Sequence, residues 1–67
     1  MNEAKYNVVR KFVREYANAT GRAYEIVYEG KVFEDAERLA AGLNVSAMDD
    51  YTDVYVVRPA HMGTKSI

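Results

Sequence analysis

The chain has no cysteine and no tryptophan, and only one proline and one histidine among its 67 residues. Without cysteine there are no disulfide bonds or thiolate metal sites. A domain of this size therefore depends on packing or self-association for stability. No apolar run approaches the roughly 20 residues of a transmembrane helix, and the first residues lack the basic-then-apolar pattern of a signal peptide. We therefore expect a cytoplasmic protein with no membrane partner.

Side chains suited to catalysis are equally scarce. His61 is the only histidine, and it follows Pro59 with no evident acid, base or ligand partner nearby in the sequence. Phosphate-binding glycine loops, nucleophile elbows and zinc-ligand spacings do not occur. A hard cation could bind Asp49, Asp50 and Asp53, but the segment lacks the glycine and the distal glutamate of an EF-hand loop. We expect no enzymatic activity, no metal and no cofactor.

The clearest predicted element is an amphipathic helix over residues 33–43. Apolar residues recur there at the spacing of one helical face, with charged residues between them. The apolar positions are Phe33, Ala36, Leu39, Ala40 and Leu43. Three acidic residues lie near the start, where the positive end of the helix dipole stabilises them, so they need no catalytic explanation. Gly42 or Asn44 is expected to end the helix.

Two segments, 24–28 and 54–57, are rich in β-branched and aromatic residues and predict strands. Gly30 and Pro59 lie just beyond them and mark their ends. The segment 44–52 is rich in turn-forming polar residues and predicts a loop between helix and strand. Residues 60–67 show no periodicity and predict a flexible tail, which leaves residues 1–59 as a single domain.

The first 20 residues fit two patterns. As a helix, they place an apolar stripe opposite a polar one; the stripe comprises Val8, Val9, Phe12, Val13, Tyr16 and Ala17. As a strand, residues 6–17 would pair with residues 22–29 through a turn at 18–21. That register places Arg14 opposite Glu25 and Arg10 opposite Glu29. It places Val13 opposite Ile26 on the other face.

We favour the strand because it supplies a third strand, and a two-stranded sheet is marginal in water. The predicted fold is therefore α+β, of order ββαβ, with a three-stranded sheet packed on one helix. The alternative is αβαβ with an N-terminal helix. In the favoured fold a crossover through the helix places the last strand parallel to the second and beside the first. One face of the sheet then packs on the helix, and the other faces water.

Charge is unevenly distributed along the chain. The first 22 residues carry five basic and two acidic side chains, and residues 23–53 carry eight acidic and two basic ones. Such a split arises by chance in short chains, or it orients a partner by electrostatic complementarity. The chain also has six tyrosines, and tyrosine and arginine are enriched at binding hot spots. We predict that Arg10, Arg14, Tyr16 and Arg58 form a surface that contacts a protein partner.

Four short motifs stand out in the predicted elements: residues 5–10, the break at Gly30, the helix start at 33–37 and the closing Val57, Arg58 and Pro59. They resemble the motifs of small bacteriophage host-takeover proteins, in particular the podophage inhibitors of bacterial RNA polymerase. The resemblance implies a non-enzymatic inhibitor of a host machine such as RNA polymerase or a defence nuclease complex, which uses Arg58 for contact. Val56 stands where the family has a second arginine.

Two other functional classes remain as alternatives. Arg10, Lys11, Arg14 and Arg22 suggest a small regulator that binds nucleic acid, although a net charge of −1 opposes broad affinity for phosphate. The small core suggests a structural homodimer.

Overall fold

The computed structural model describes residues 4–47 and 49–60. The elements are β1 (Tyr6–Phe12), α1 (Arg14–Thr20), β2 (Tyr24–Lys31), α2 (Phe33–Ser46) and β3 (Thr52–Pro59). Both β2 and β3 pair with β1 in antiparallel fashion, which gives a sheet of order β2-β1-β3. The predicted α+β class is confirmed, with a three-stranded sheet on one main helix. The last strand lies beside the first and runs parallel to the second, as expected.

The N-terminal segment contains both a strand and a helix. Phe12 ends β1, Val13 stays extended, and α1 begins at Arg14. Gly21 then ends α1 with a φ of 77°, in the left-handed region that glycine adopts without steric cost, and its N–H donates to the Ala17 carbonyl. The strand predicted over residues 6–17 was therefore too long, and the turn predicted at 18–21 was wrong. The helix of the alternative fold is limited to seven residues between two strands.

The hairpin register also differs from the prediction. Arg10 lies opposite Glu25 rather than Glu29, and Val9 rather than Val13 lies opposite Ile26. Arg14, which was expected opposite Glu25, lies in α1. The displacement is four residues, because α1 occupies the segment that was expected to continue the strand.

The main core lies between α2 and one face of the sheet. Its buried residues are Val8, Ala36, Ala40 and Tyr55, and half-buried Tyr6, Val27, Leu39, Leu43 and Val57 pack around them. Two alanines on the inner side of α2 let the helix approach the sheet closely. Four of the five predicted stripe residues thus face the sheet. Phe33 is 47% exposed and makes an edge contact with the ring of Tyr6.

A side chain of α2 closes the outer edge of β3. The Asn44 side-chain oxygen accepts a hydrogen bond from the Tyr55 N–H, and the Asn44 amide donates to the Tyr55 carbonyl. The helix passes through Gly42 and Asn44 and ends at Ser46, so the loop predicted over 44–52 begins later than expected. The Ala60 N–H donates to the Lys5 carbonyl at 2.9 Å, which extends the β1–β3 pairing by one residue. Residues 61–67 of the predicted tail lie outside the described residues.

Candidate protein-binding surfaces

Arg10 is held by the protein itself on the face of the sheet that packs against α2. Its Nε donates to the Thr52 hydroxyl at 2.6 Å, and its two terminal nitrogens donate to Glu25 at 3.2 Å and Asp49 at 2.7 Å. Its guanidinium carbon also lies 4.6 Å from the centre of the Phe12 ring. These charge-assisted hydrogen bonds and the cation–π contact join β1 to β2 and to the loop before β3.

The charges of this network reinforce one another. The hydrogen bond of the Thr52 side chain lowers the pKa of Asp49, and the Tyr51 N–H and the positive charge of Arg10 act in the same direction. Partial burial opposes the charged form of Arg10, yet its pKa is raised because Asp49 and Glu25 stabilise the cation. The Arg10–Asp49 pair therefore stays fully charged at neutral pH.

Three aromatic rings form a row beside this network. The Phe12 and Tyr16 ring centres are 4.7 Å apart, and those of Tyr16 and Tyr51 are 4.9 Å apart. The Val13 N–H donates to the Tyr51 carbonyl at 2.8 Å. These contacts hold α1 against the loop before β3, and a shallow groove lies between them. We call it the α1 groove; it is lined by Val13, Glu15, Tyr16, Ala19, Asp50 and Tyr51.

Arg58 lies on the opposite face of the sheet from Arg10. Arg10 pairs with Tyr55, whereas Arg58 pairs with Asn7, and the β1–β3 register is regular between positions 7 and 11. Because side chains alternate along a strand, residues 7, 9 and 11 face away from α2. We call this side the back face; it carries Asn7, Val9, Lys11, Tyr24, Ile26, Val54, Val56 and Arg58.

A contact between Tyr24 and Arg58 crosses the back face. The guanidinium carbon of Arg58 lies 5.7 Å from the centre of the Tyr24 ring. The two residues belong to the outer strands, whose backbones are roughly 9–10 Å apart, so their side chains meet above β1. Val9 occupies the middle of this face and is fully buried, although α2 packs on the other side of the sheet.

The structure does not bring the four predicted contact residues into one surface. Arg10 and Tyr16 both touch Phe12, at the end of the sheet where the α1 groove lies. Arg14 is exposed on α1, and Arg58 projects from the back face. The sequence predicted a strand at Tyr24 and a loop at Tyr51, but it did not predict the contacts that their rings make with Arg58 and Tyr16. The only indication of a contact in the sequence was the tyrosine within a polar loop. The contact itself could not be predicted, because Tyr16 reaches Tyr51 only when residues 14–20 form α1.

Two of the three acidic residues that the sequence suggested as a cation site are engaged in ion pairs. Asp49 binds Arg10, and Asp53 lies 3.9 Å from the Lys11 amine. Within residues 4–47 and 49–60, no group of three histidine, cysteine or acidic residues is arranged to hold a metal ion. His61 lies outside the described residues. None of the helices in the described part of the chain is long and apolar enough to cross a membrane.

Comparisons with known proteins add no family to this description. No protein-family model matches the chain, and no curated protein or solved structure shows significant similarity to it. The fold and the two surfaces define a small α+β domain with an α1 groove on one side and a tyrosine–arginine contact on the other.

Proposed function

We propose that the chain is a non-enzymatic, phage-type protein of the bacterial cytoplasm that binds and inhibits a host machine such as RNA polymerase or a defence nuclease complex. The supporting observation is the composition of the back face. Half-buried Ile26, Val54 and Val56 form its centre, and Tyr24 and Arg58 lie across it. An apolar centre with tyrosine and arginine anchors is typical of protein-interface hot spots.

Arg58 is suited to contact a partner because it is exposed and forms no ion pair within the described part of the chain. Its contact with Tyr24 restricts the guanidinium before binding, which lowers the entropy lost on association. Arg58 is also the residue that the resemblance to phage inhibitors implies for contact. An acidic or carboxylate-bearing patch on the host protein is the expected complement.

The back face alone is too small to form a standard protein–protein interface. Three strands of seven or eight residues cover roughly 350 Å², from the usual strand spacing and rise. A standard interface buries about 800 Å² on each partner. A tight complex must therefore use an adjoining surface in addition to the back face.

The test is a comparison of three proteins in capture from bacterial lysate and in transcription by purified host RNA polymerase. The wild type is compared with Arg58→Ala and with Arg38→Ala, which removes an exposed arginine from α2. We expect the wild type and Arg38→Ala to recover the same stoichiometric partner, and Arg58→Ala to lose it. Recovery by all three proteins would rule out the back face, and recovery by none would rule out the inhibitor function.

Single-stranded nucleic acid is the second candidate occupant of the back face. A base can stack on Tyr24 while Arg58 and Lys11 neutralise phosphates. Fluorescence anisotropy with single-stranded DNA and RNA at several salt concentrations distinguishes this function, because binding to phosphates weakens steeply with salt. A structural homodimer is tested separately by sedimentation over a range of protein concentrations.

A further inference from the structure

We propose that the α1 groove is a second docking site, which accepts an arginine side chain of a protein partner. The groove combines two tyrosine rings, two small apolar side chains and two carboxylates. It is separate from the back face, so its occupancy can be tested whether or not the function proposed above is correct.

The aromatic part of the groove is held in place before any ligand binds. Tyr16 packs between Phe12 and Tyr51, and the two tyrosine rings are inclined at 42°. The Tyr51 backbone is fixed on both sides, because its carbonyl accepts from Val13 at 2.8 Å and its N–H donates to Asp49 at 2.9 Å. Tyr51 is nevertheless 55% exposed. A fixed and exposed ring of this kind is a suitable platform for a guanidinium group.

Among the residues that the structure describes, the two carboxylates of the groove differ from their acidic neighbours in having no ion-pair partner. Glu25 and Asp49 both pair with Arg10, and Glu25 also lies 3.7 Å from Arg22. Glu15 and Asp50 are exposed, and neither forms an ion pair with any residue in the described ranges. Within the described ranges, the carboxylates at this end of the sheet that have no ion-pair partner therefore lie at the rim of an aromatic groove.

Arginine matches this combination better than lysine. Its planar guanidinium can stack on a ring while its edge donates hydrogen bonds to carboxylates, whereas a lysine amine is a compact, strongly hydrated charge. The protein itself shows the pairing twice near the groove. Arg10 and Arg22 lie 4.6 Å and 5.8 Å from the Phe12 ring centre, and both also pair with Glu25.

The proposal is tested by NMR titration of the ¹⁵N-labelled full chain at low ionic strength. The probes are the peptide acetyl-Gly-Arg-Gly-amide and the same peptide with citrulline, which keeps the shape of arginine but has no charge. We expect saturable shifts in the amide resonances of Tyr16, Asp50 and Tyr51 with the arginine peptide and none with the citrulline peptide. A lysine peptide should bind about two- to five-fold more weakly, a difference on the scale of one exposed cation–π contact, because a compact ammonium cannot stack flat on a ring while its edge donates to carboxylates.

Two double variants test the role of the carboxylates. Glu15→Gln with Asp50→Asn should weaken arginine binding by about two- to five-fold for each charge removed. Glu34→Gln with Glu37→Gln removes two exposed charges from α2 and should leave binding at the groove unchanged. Equal binding of the citrulline peptide, absence of groove shifts, or equal weakening by both double variants would each overturn the proposal.

Discussion

The side chain of Asn44 binds the backbone of Tyr55 as a neighbouring β-strand would. Its oxygen accepts from the Tyr55 N–H at 2.8 Å, and its amide donates to the Tyr55 carbonyl at 3.0 Å. Both backbone groups point away from β1, so without Asn44 they would form part of an unpaired sheet edge. Such edges promote association with other strands, and covering them is a common protection in natural sheets. Asn44 therefore both fastens α2 to the sheet and closes the middle of the β3 edge.

Replacing Asn44 by leucine, which has a similar shape, should expose this edge. We expect the free energy of unfolding to fall by about 1–3 kcal/mol, because two part-buried backbone groups lose their partners. We also expect self-association that grows with protein concentration. Urea denaturation and sedimentation measure the two effects. Asn18→Leu, on the exposed side of α1, is the matched control and should change neither; a stable and monomeric Asn44→Leu protein would show that the edge needs no cover.

Removing Arg10 should destabilise the domain, whereas removing Arg14 should not. Arg10→Ala breaks hydrogen bonds to Thr52, Glu25 and Asp49, and we expect a loss of about 1–2 kcal/mol after allowance for the partial exposure of the two acids. Arg14 is exposed and has no ion-pair partner in the described ranges, so Arg14→Ala should stay within about 0.5 kcal/mol of the wild type. Urea unfolding of both variants gives the comparison, and equal losses would contradict the structural role of Arg10.

Asp49 should make stability depend on pH in the acidic range. Because its pKa is lower in the folded state than in the unfolded chain, its contribution is present above the unfolded pKa and is lost as pH falls through the folded pKa. The urea concentration at the unfolding midpoint of the wild type should therefore decrease as the pH is lowered below about 4, the ordinary range of an aspartate pKa. Asp49→Asn should be less stable at neutral pH and should approach the wild type in acid. Carboxyl NMR gives a direct check, since Thr52→Val should raise the pKa of Asp49.

Two glycines should respond in opposite directions to substitution by alanine. Gly21 has a φ of 77°, which strains any residue with a Cβ, so Gly21→Ala should cost about 1 kcal/mol or more. Gly42 lies within α2, and a Cβ added there would meet no atom within 4 Å. Gly42→Ala should therefore stabilise the protein by about 0.5–1 kcal/mol, because alanine favours a helix over glycine. Thermal unfolding of both variants measures the difference, and effects of the same sign would contradict it.

The sequence predicted the parts of the fold that depend on local pattern. The stripe from Ala36 to Leu43 identified α2, because a helix that packs on a sheet needs its apolar residues on one side. The end of β1 could not be found in this way, since Val13, Tyr16 and Ala17 suit a strand as well as a helix. The boundary depends on distant contacts, namely Phe12 N–H with the Ala23 carbonyl and Val13 N–H with the Tyr51 carbonyl.

The prediction of the contact residues was limited in the same way, because it also depends on contacts between distant parts of the chain. Arg10 was expected to face a partner, but its guanidinium instead binds Asp49, which is 39 positions away in the chain. The sequence could name an arginine-rich and tyrosine-rich set, yet the face of each member follows from strand register. Arg58 and Arg10 were separated by that register, while Tyr24 and Arg58 were brought together by it.

The seven residues of α1 include none that is buried. The helix is therefore attached to the rest of the protein mainly through Tyr16, Val13 and the end at Gly21, and we expect it to open at lower free energy than the sheet. Its amide protons should then exchange with solvent faster than those of β1. Since the α1 groove exists only while this helix is folded, occupancy of the groove would be linked to helix order, and a bound arginine would slow exchange throughout α1. Binding of a partner's arginine at the α1 groove would then increase the fraction of molecules in which this short helix is folded.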